Sequence, residues 1–140
     1  MTRFLLSLDD AINLVIYAAN KGGHGEIFIK KTNAARVLDV AKCLFKILNK
    51  KEKINFIGIR HGEKIHETLV SQNEMLHVKS NRDFYSIPLD NRNLNYDSYF
   101  STGKKNQTSF TAYTSNNVNI LNMKNLEKFL KNVVKDILKL

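Results

Sequence analysis

The sequence has few of the residues that mark specialised classes of protein. Its 140 residues include no tryptophan, one proline and one cysteine. A lone cysteine excludes an internal disulfide and is typical of a reducing compartment, so we expect a cytoplasmic protein with Cys43 as a buried core thiol. No run approaches the ~20 apolar residues of a membrane-spanning helix, and the N-terminus lacks a signal-peptide pattern. We therefore expect no membrane insertion.

Acidic residues are scarce relative to basic ones, at 13 against 22, and the formal net charge is +9. Such an excess is typical of proteins that bind nucleic acids or anionic membranes. The lysines are spread along the chain among many asparagines, however, and no RNP-like motif, zinc-finger spacing or arginine-rich arm occurs. We expect no nucleic-acid partner, and an anionic small ligand fits the charge equally well.

Glycine and histidine patterns that hold cofactors or metals are also missing. The six glycines never form the GxGxxG turn whose backbone receives a dinucleotide pyrophosphate, so no cofactor-binding residues are assigned. His61, His66 and His77 do not place two imidazoles at i and i+4 on one helical face, and Cys43 is remote from them. No metal site is predicted.

Alternating helix and strand patterns run through the first 59 residues. Ser7 is a candidate N-cap for a first helix that Gly22 and Gly23 end. A strand is predicted over residues 25–30, a second helix over about 33–49 with Thr32 or Asn33 as its cap, and a buried parallel strand over 54–59. This alternation indicates an α/β protein with too few strands for a complete doubly wound sheet.

The stretch from Ile54 to Met75 is the most site-like part of the sequence. The pattern predicts a strand to Ile59, a tight turn at Arg60, His61 and Gly62, and a helix to about residue 69. Ser71 to Glu74 then forms a capping box. Arginine offers a planar fork of donors for a phosphate, and a nearby carboxylate can accept from sugar hydroxyls. An Arg60–Glu63 ion pair that caps the helix is the structural alternative.

The remainder divides by composition. Residues 83–89, which include Pro88, predict an edge strand or an extended segment. Residues 91–119 are rich in Asn, Ser, Thr and Tyr and predict an extended arm whose aromatic side chains anchor it to another surface. Asn122 is a candidate cap for an amphipathic helix to Leu140. We therefore expect one structural unit with three parts: residues 1–90, 91–119 and 120–140.

Three stretches carry a family resemblance: RHGEKIHETLVSQNEM, FYSIPLDNRNLNYDSYF and YTSNNV. Together they resemble the C-terminal portion of the CapD-type capsular polysaccharide biosynthesis proteins. The opening MTRFLLSLDDAINLVIYAANKGGHGEIFIKK resembles the segment before this motif in the same family. The family comprises extended short-chain dehydrogenase/reductases that act as UDP-sugar 4-epimerases or 4,6-dehydratases. The resemblance implies the C-terminal substrate-binding part of a Rossmann-type fold, without the N-terminal cofactor-binding half.

The resemblance also implies roles for three residues. Arg60 would neutralise the UDP diphosphate, Glu63 would accept hydrogen bonds from the ribose, and Arg3 would add a second cation. The alternative for Arg3 is a solvated side chain near a chain end. Tyr17 and Lys21 have the YxxxK spacing of the family's catalytic pair, but they lie at the end of a helix before Gly22. We interpret that match as coincidence and assign no catalytic residue.

The implied function is UDP-sugar binding in capsule, lipopolysaccharide or O-antigen polysaccharide biosynthesis. The intact family uses NAD or NADP, and none is expected to bind this chain, which should be inactive alone. Its expected partners are a UDP-sugar and an N-terminal Rossmann half or further subunits of a homo-oligomer. Two alternatives stay open: a non-catalytic assembly partner of a separately encoded N-terminal half, and a basic nucleic-acid-binding module. The sequence does not decide whether the intact enzyme is an epimerase or a dehydratase. It also does not identify the hexose or decide between NAD and NADP.

Overall fold

A computed structural model describes residues 1–89 and 111–137, with side chains described up to residue 135. The elements are β1 (Thr2–Phe4), α1 (Leu8–Lys21), β2 (Ile27–Lys30), β3 (Ala34–Arg36), α2 (Val37–Ile47), β4 (Thr68–Val70), α3 (Gln72–Met75), β5 (Lys79–Ser80), β6 (Phe84–Ile87), β7 (Tyr113–Thr114) and α4 (Met123–Ile137). No helix within these ranges is long and apolar enough to cross a membrane.

The strands form three small sheets. β1 pairs with β3, β6 lies between β2 and β5, and β4 pairs with β7. Every one of these strand pairs is antiparallel. The predicted mixture of helices and strands is confirmed, but the parallel strand predicted over residues 54–59 does not form among the described residues. β6 is a central strand rather than the predicted edge strand, and Pro88 follows it directly, where its missing N–H leaves the ladder intact.

Helix α1 begins and ends where the sequence predicts. The Ser7 hydroxyl accepts a hydrogen bond from the Asp10 N–H, and Gly22 lies at the C-cap. The apolar side of α1, in contrast, packs little within the described residues, because none of its residues is buried. Val15, in the middle of that side, is 67% exposed.

Helix α2 begins later than predicted. Ala34, Ala35 and Arg36 form β3 against β1, so neither Thr32 nor Asn33 caps the helix, and Arg36 at the N-cap makes no side-chain capping bond. Strand pairing overrides the helical pattern here because Ala34 and Ala35 are fully buried beside β1. The predicted caps are therefore wrong.

The main apolar core lies between α2 and α4. Ala35, Cys43, Leu126 and Leu130 are buried together in it. Burial raises the pKa of the Cys43 thiol, as expected for a core residue. The Asn122 side chain accepts from the Asn125 N–H at 2.9 Å, which confirms the predicted cap of α4. The predicted end of this helix, at residues 138–140, lies outside the described residues.

A second core surrounds Tyr113. Its ring packs against Phe4 at 5.0 Å and Tyr85 at 5.1 Å between ring centroids. Its hydroxyl accepts from the Thr32 N–H at 2.8 Å and donates to the Thr32 carbonyl at 3.0 Å. Burial raises the pKa of Tyr113. The polar arm predicted over 91–119 is thus anchored at Tyr113, while its residues 91–110 lie outside the described ranges.

The largest error of sequence reasoning concerns residues 54–69. The predicted strand 54–59 is an irregular segment, and the predicted helix that follows is a turn leading into β4. Gly58, at φ +79°, interrupts the extended conformation that a strand requires. The capping box at Ser71 and Glu74 is confirmed, and it opens the single turn of α3.

Candidate functional site

Arg60 and Glu63 lie at the two ends of one tight turn. The Glu63 N–H donates to the Arg60 carbonyl at 3.1 Å, and Gly62 takes a φ of +77° at the third position. A type II turn needs a positive φ at that position, which explains the glycine. The Glu63 carboxylate in turn accepts from the Arg60 N–H at 3.1 Å. The turn therefore holds the Glu63 carboxylate against the backbone of Arg60, and both residues are exposed.

This arrangement differs from the predicted helical one. The helix predicted up to about residue 69 would place Glu63 and Glu67 on one face, but no helix forms between them. Glu67 instead pairs with Arg3, whose Nε lies 3.1 Å from a carboxylate oxygen. The predicted tight turn at Arg60 and Gly62 is confirmed, whereas the predicted strand and helix on either side of it are wrong.

Arg3 holds the residues that follow the turn. Its guanidinium donates to the Lys64 carbonyl at 2.9 Å, the Ile65 carbonyl at 3.4 Å and the Thr2 carbonyl at 2.8 Å. The Thr2 N–H also donates to the Ile65 carbonyl at 2.9 Å, so β1 and this segment are joined by backbone and side chain. The structure thus brings Arg3 next to the Arg60–Glu63 turn, in β1 and already engaged with backbone carbonyls.

A buried polar network supports the same segment and was missed by sequence reasoning. The Thr2 hydroxyl lies 2.7 Å from the Ser115 hydroxyl and 2.8 Å from Nδ1 of His66. The Glu67 N–H donates to the Ser115 hydroxyl at 2.9 Å, and the Ser115 N–H donates to the Glu67 carbonyl at 2.8 Å. Ser115 is fully buried. The stretch YTSNNV could have indicated this network, because its serine is Ser115.

A cavity of about 790 Å³ opens beside this network. Its walls are residues 54–58 and the first turns of α2, and Met1, Thr2 and His66 also line it. Arg3, Arg60 and Glu63 do not line this cavity. The mostly apolar lining suits an apolar side chain or ring, and the exposed segment 54–58 forms a whole wall of it.

The other two patterns noted in the sequence are the YxxxK spacing at Tyr17 and the histidines tested as metal ligands. Tyr17 stacks on Phe84 with ring centroids 4.3 Å apart and meets Phe28 edge-on at 5.5 Å, which supports its interpretation as a packing residue. Within the described residues, no group of three or more His, Cys, Asp or Glu side chains could hold a metal ion.

A dinucleotide cofactor does not fit the glycines that the structure describes. Gly22, Gly23 and Gly25 follow helix α1 and precede β2, the reverse of the strand-to-helix turn that receives a pyrophosphate. Gly58 and Gly62 lie in the irregular segment before β4. No step of chemistry is therefore derived through such a group on this chain.

Comparisons with known proteins cover almost the whole chain. Residues 1–89 match the family described as polysaccharide biosynthesis protein, and residues 90–135 match the family described as polysaccharide biosynthesis protein C-terminal. A UDP-glucose 4-epimerase of Rickettsia rickettsii is 46% identical over 130 residues, which are 93% of this chain and 38% of that protein. A UDP-glucose 4-epimerase of Rickettsia bellii is 45% identical over 133 residues, 95% of this chain and 39% of that protein.

A solved structure shows the same fold. The X-ray structure of Pen from Bacillus thuringiensis aligns with a TM-score of 0.73 and 28% identity, over 94% of this chain and 37% of that one. The chain thus spans less than two fifths of the length of the proteins it matches. The likeness to CapD-type proteins predicted from the sequence and the α/β fold class are both confirmed. The chain belongs to the polysaccharide biosynthesis protein family.

Proposed function

We propose that this chain provides the UDP-binding part of a nucleotide-sugar 4-epimerase or 4,6-dehydratase of polysaccharide biosynthesis. The observation that carries the proposal is the Arg60–Glu63 turn, which brings an exposed arginine and an exposed glutamate to the two ends of one hydrogen-bonded turn. The names of the Rickettsia relatives support a UDP-hexose as the ligand. The proposal includes a cytoplasmic location, where nucleotide sugars are available.

The three charged residues act on the part of the substrate that does not react. Arg60 donates to the diphosphate, because a guanidinium forms two parallel bonds with phosphate oxygens. Glu63 has a second carboxylate oxygen that can accept from ribose hydroxyls while the first keeps the turn closed. Arg3 adds positive charge and holds Lys64 and Ile65, so that the turn stays in place.

Binding of the nucleotide places the hexose for a reaction that this chain does not perform alone. Energy gained from the non-reacting UDP is then used to orient the sugar, so loss of these contacts lowers turnover as well as affinity. In the intact family enzyme, NAD or NADP supplies the hydride chemistry from the portion outside this chain.

Isothermal titration calorimetry of UDP and UDP-N-acetylglucosamine tests the proposal. We expect saturable binding that Arg60→Ala and Glu63→Ala each weaken by about tenfold, the effect of losing a charge-assisted bond worth about 1.5 kcal/mol. Arg82→Ala and Glu52→Ala remove exposed charges away from the turn and serve as matched controls.

Binding that neither Arg60→Ala nor Glu63→Ala weakens would contradict the proposal. If the folded chain alone gives no heat, the same titration is carried out on a full-length chimera, in which this chain replaces the matching region of the R. rickettsii relative. Absence of binding to the folded chimera would also contradict it.

A second candidate function is a binding or assembly partner for a separately encoded remainder of the enzyme. The exposed apolar surfaces of α1 and residues 54–59 favour it. Co-expression of this chain with a separate polypeptide that carries the remainder of the R. rickettsii relative, followed by co-purification and size-exclusion chromatography, tests it. A stoichiometric complex is expected, and elution of the two as separate folded proteins would contradict it.

A further inference from the structure

Residues 54–59 have the sequence of a strand but have no strand partner among the residues that the structure describes. Phe56, Ile57 and Ile59 are 82%, 71% and 65% exposed. Within residues 1–89 and 111–137, no backbone hydrogen bond joins residues 51–59 to any other residue. Apolar side chains in water and open backbone groups form an edge that pairs readily with another strand. The segment therefore has the properties of a strand that is completed by something else.

The length of the relatives indicates where the partner lies. The R. rickettsii relative has 62% of its length outside the match, since the match covers 38% of it. By sequence, the chain's own residues 90–110 mix strand-forming Tyr, Phe and Thr with Asn, Asp and Gly and contain no valine or isoleucine, so they favour a strand less than an apolar β-branched run does. The portion of the family polypeptide outside this chain is thus the better candidate.

Charge disfavours a second copy of the chain as the partner. Lys50, Lys51, Glu52 and Lys53 precede the segment, and Arg60, Glu63 and Lys64 follow it, so each flank carries a net positive charge. Two copies paired in either direction would bring these net positive flanks together, and like charges on paired strands destabilise the pair. A partner strand with carboxylates near its ends complements this pattern.

We propose that residues 54–59 become a β-strand by pairing with an open strand edge in the portion of the family polypeptide outside the matched region. Gly58 then leaves its φ of +79° for an extended conformation, a change that a glycine makes without steric cost. The cavity of about 790 Å³ between residues 54–58 and α2 receives apolar side chains from that partner. Because the new strand ends at Arg60, its pairing also fixes the Arg60–Glu63 turn. The inference rests on the proposed function to the extent that the completed strand orders the UDP site.

Hydrogen–deuterium exchange tests the pairing without any ligand. It is measured on this chain alone and on the full-length chimera described above. We expect the amides of residues 55–59 to exchange at least ~100-fold more slowly in the chimera than in the chain alone, because pairing removes them from water. The corresponding segment of the unmodified R. rickettsii relative should be equally protected, which keeps the test valid if the chimera does not fold.

A pair of substitutions separates strand pairing from a general effect. Ile57→Asp places a charge within the proposed strand and should lower the protection in the chimera by at least ~10-fold. Met123→Asp makes the same kind of change at an exposed apolar residue at the start of α4, where a helix end favours a carboxylate. It should leave the exchange of residues 55–59 unchanged.

Three results would overturn the inference. Protection of residues 55–59 in the chain alone, independent of concentration, would assign the partner to the chain itself. Protection that rises with concentration would assign it to a second copy. Fast exchange in both the folded chimera and the relative would show that no strand forms. Because the exchange is measured without UDP, failure of the UDP titration with protection retained would reject the proposed function and leave the strand pairing supported.

Discussion

Helices α1 and α2 are both amphipathic, yet they differ in what their apolar sides contact. Helix α2 packs on α4 and buries Cys43 beside Leu126. Helix α1 has no buried residue in the described chain, and Val15 on its apolar side is 67% exposed. The difference shows that one apolar surface is completed within the chain and that another is left open. Residues 54–59 also expose apolar side chains, so they form a second open apolar surface.

The largest expected effect comes from the α2–α4 contact. Leu126→Ala removes a fully buried side chain and should lower the free energy of unfolding by about 2–5 kcal/mol. Val15→Ala on the open side of α1 should change it by no more than about 0.5 kcal/mol. Urea denaturation followed by circular dichroism measures both. Equal losses from the two substitutions would remove the distinction between the closed and open surfaces.

A smaller difference in stability is expected between two tyrosine hydroxyls, that of Tyr113 in a partly buried site and that of Tyr17 on the surface. Tyr113→Phe leaves the N–H and carbonyl of Thr32 without their partner in a partly buried site, and should cost about 1–3 kcal/mol of unfolding free energy. Tyr17→Phe removes only the exposed bond from the Asn81 amide and should cost less than about 1 kcal/mol. The same denaturation measurement distinguishes them, and a loss at Tyr17 as large as that at Tyr113 would contradict the account.

The smallest expected effect concerns acid stability at the α2–α4 surface. Hydrogen bonds from Lys131 at 2.8 Å and Lys46 at 2.6 Å lower the pKa of Glu127 from 4.5 to about 2. Because the unfolded carboxyl binds a proton more readily, stability from this group is fully present above pH 4.5 and is lost as the pH falls towards 2.

Glu127→Gln should therefore flatten the dependence of stability on pH between about 4.5 and 2. Thermal melts at several pH values measure it, with Glu52→Gln in the exposed segment after α2 as the control. An unchanged pH profile in Glu127→Gln would show that these ion pairs contribute nothing measurable.

Elements with their own end signals could be predicted from the sequence. Ser7 and Gly22 correctly predicted the two ends of α1. The Ser71–Glu74 capping box correctly predicted the start of α3, and Asn122 predicted the start of α4. Each of these signals acts within a few residues, and no strand pairing competes with it as β3 does with the predicted caps at Thr32 and Asn33.

Elements that depend on distant partners could not be predicted in this way. Ala34 and Ala35 form a strand because β1 lies beside them, and residues 54–59 lack a strand partner in the described chain. The contact between Arg3 and Glu67 joins residues 64 positions apart, and the bond between Thr2 and Ser115 joins residues 113 positions apart. Sequence therefore predicted which residues carry charge at the candidate site but not the network that holds them.

The affinity of UDP for this chain and for the full-length chimera tests the central claim most directly. The account predicts that the chimera binds at least ~10-fold more tightly, because pairing of residues 54–59 fixes the N-terminal side of the Arg60–Glu63 turn, whose other side Arg3 already holds. Arg60→Ala should remove most of that gain. Equal affinities in the two folded proteins, or a gain that survives Arg60→Ala, would contradict the account.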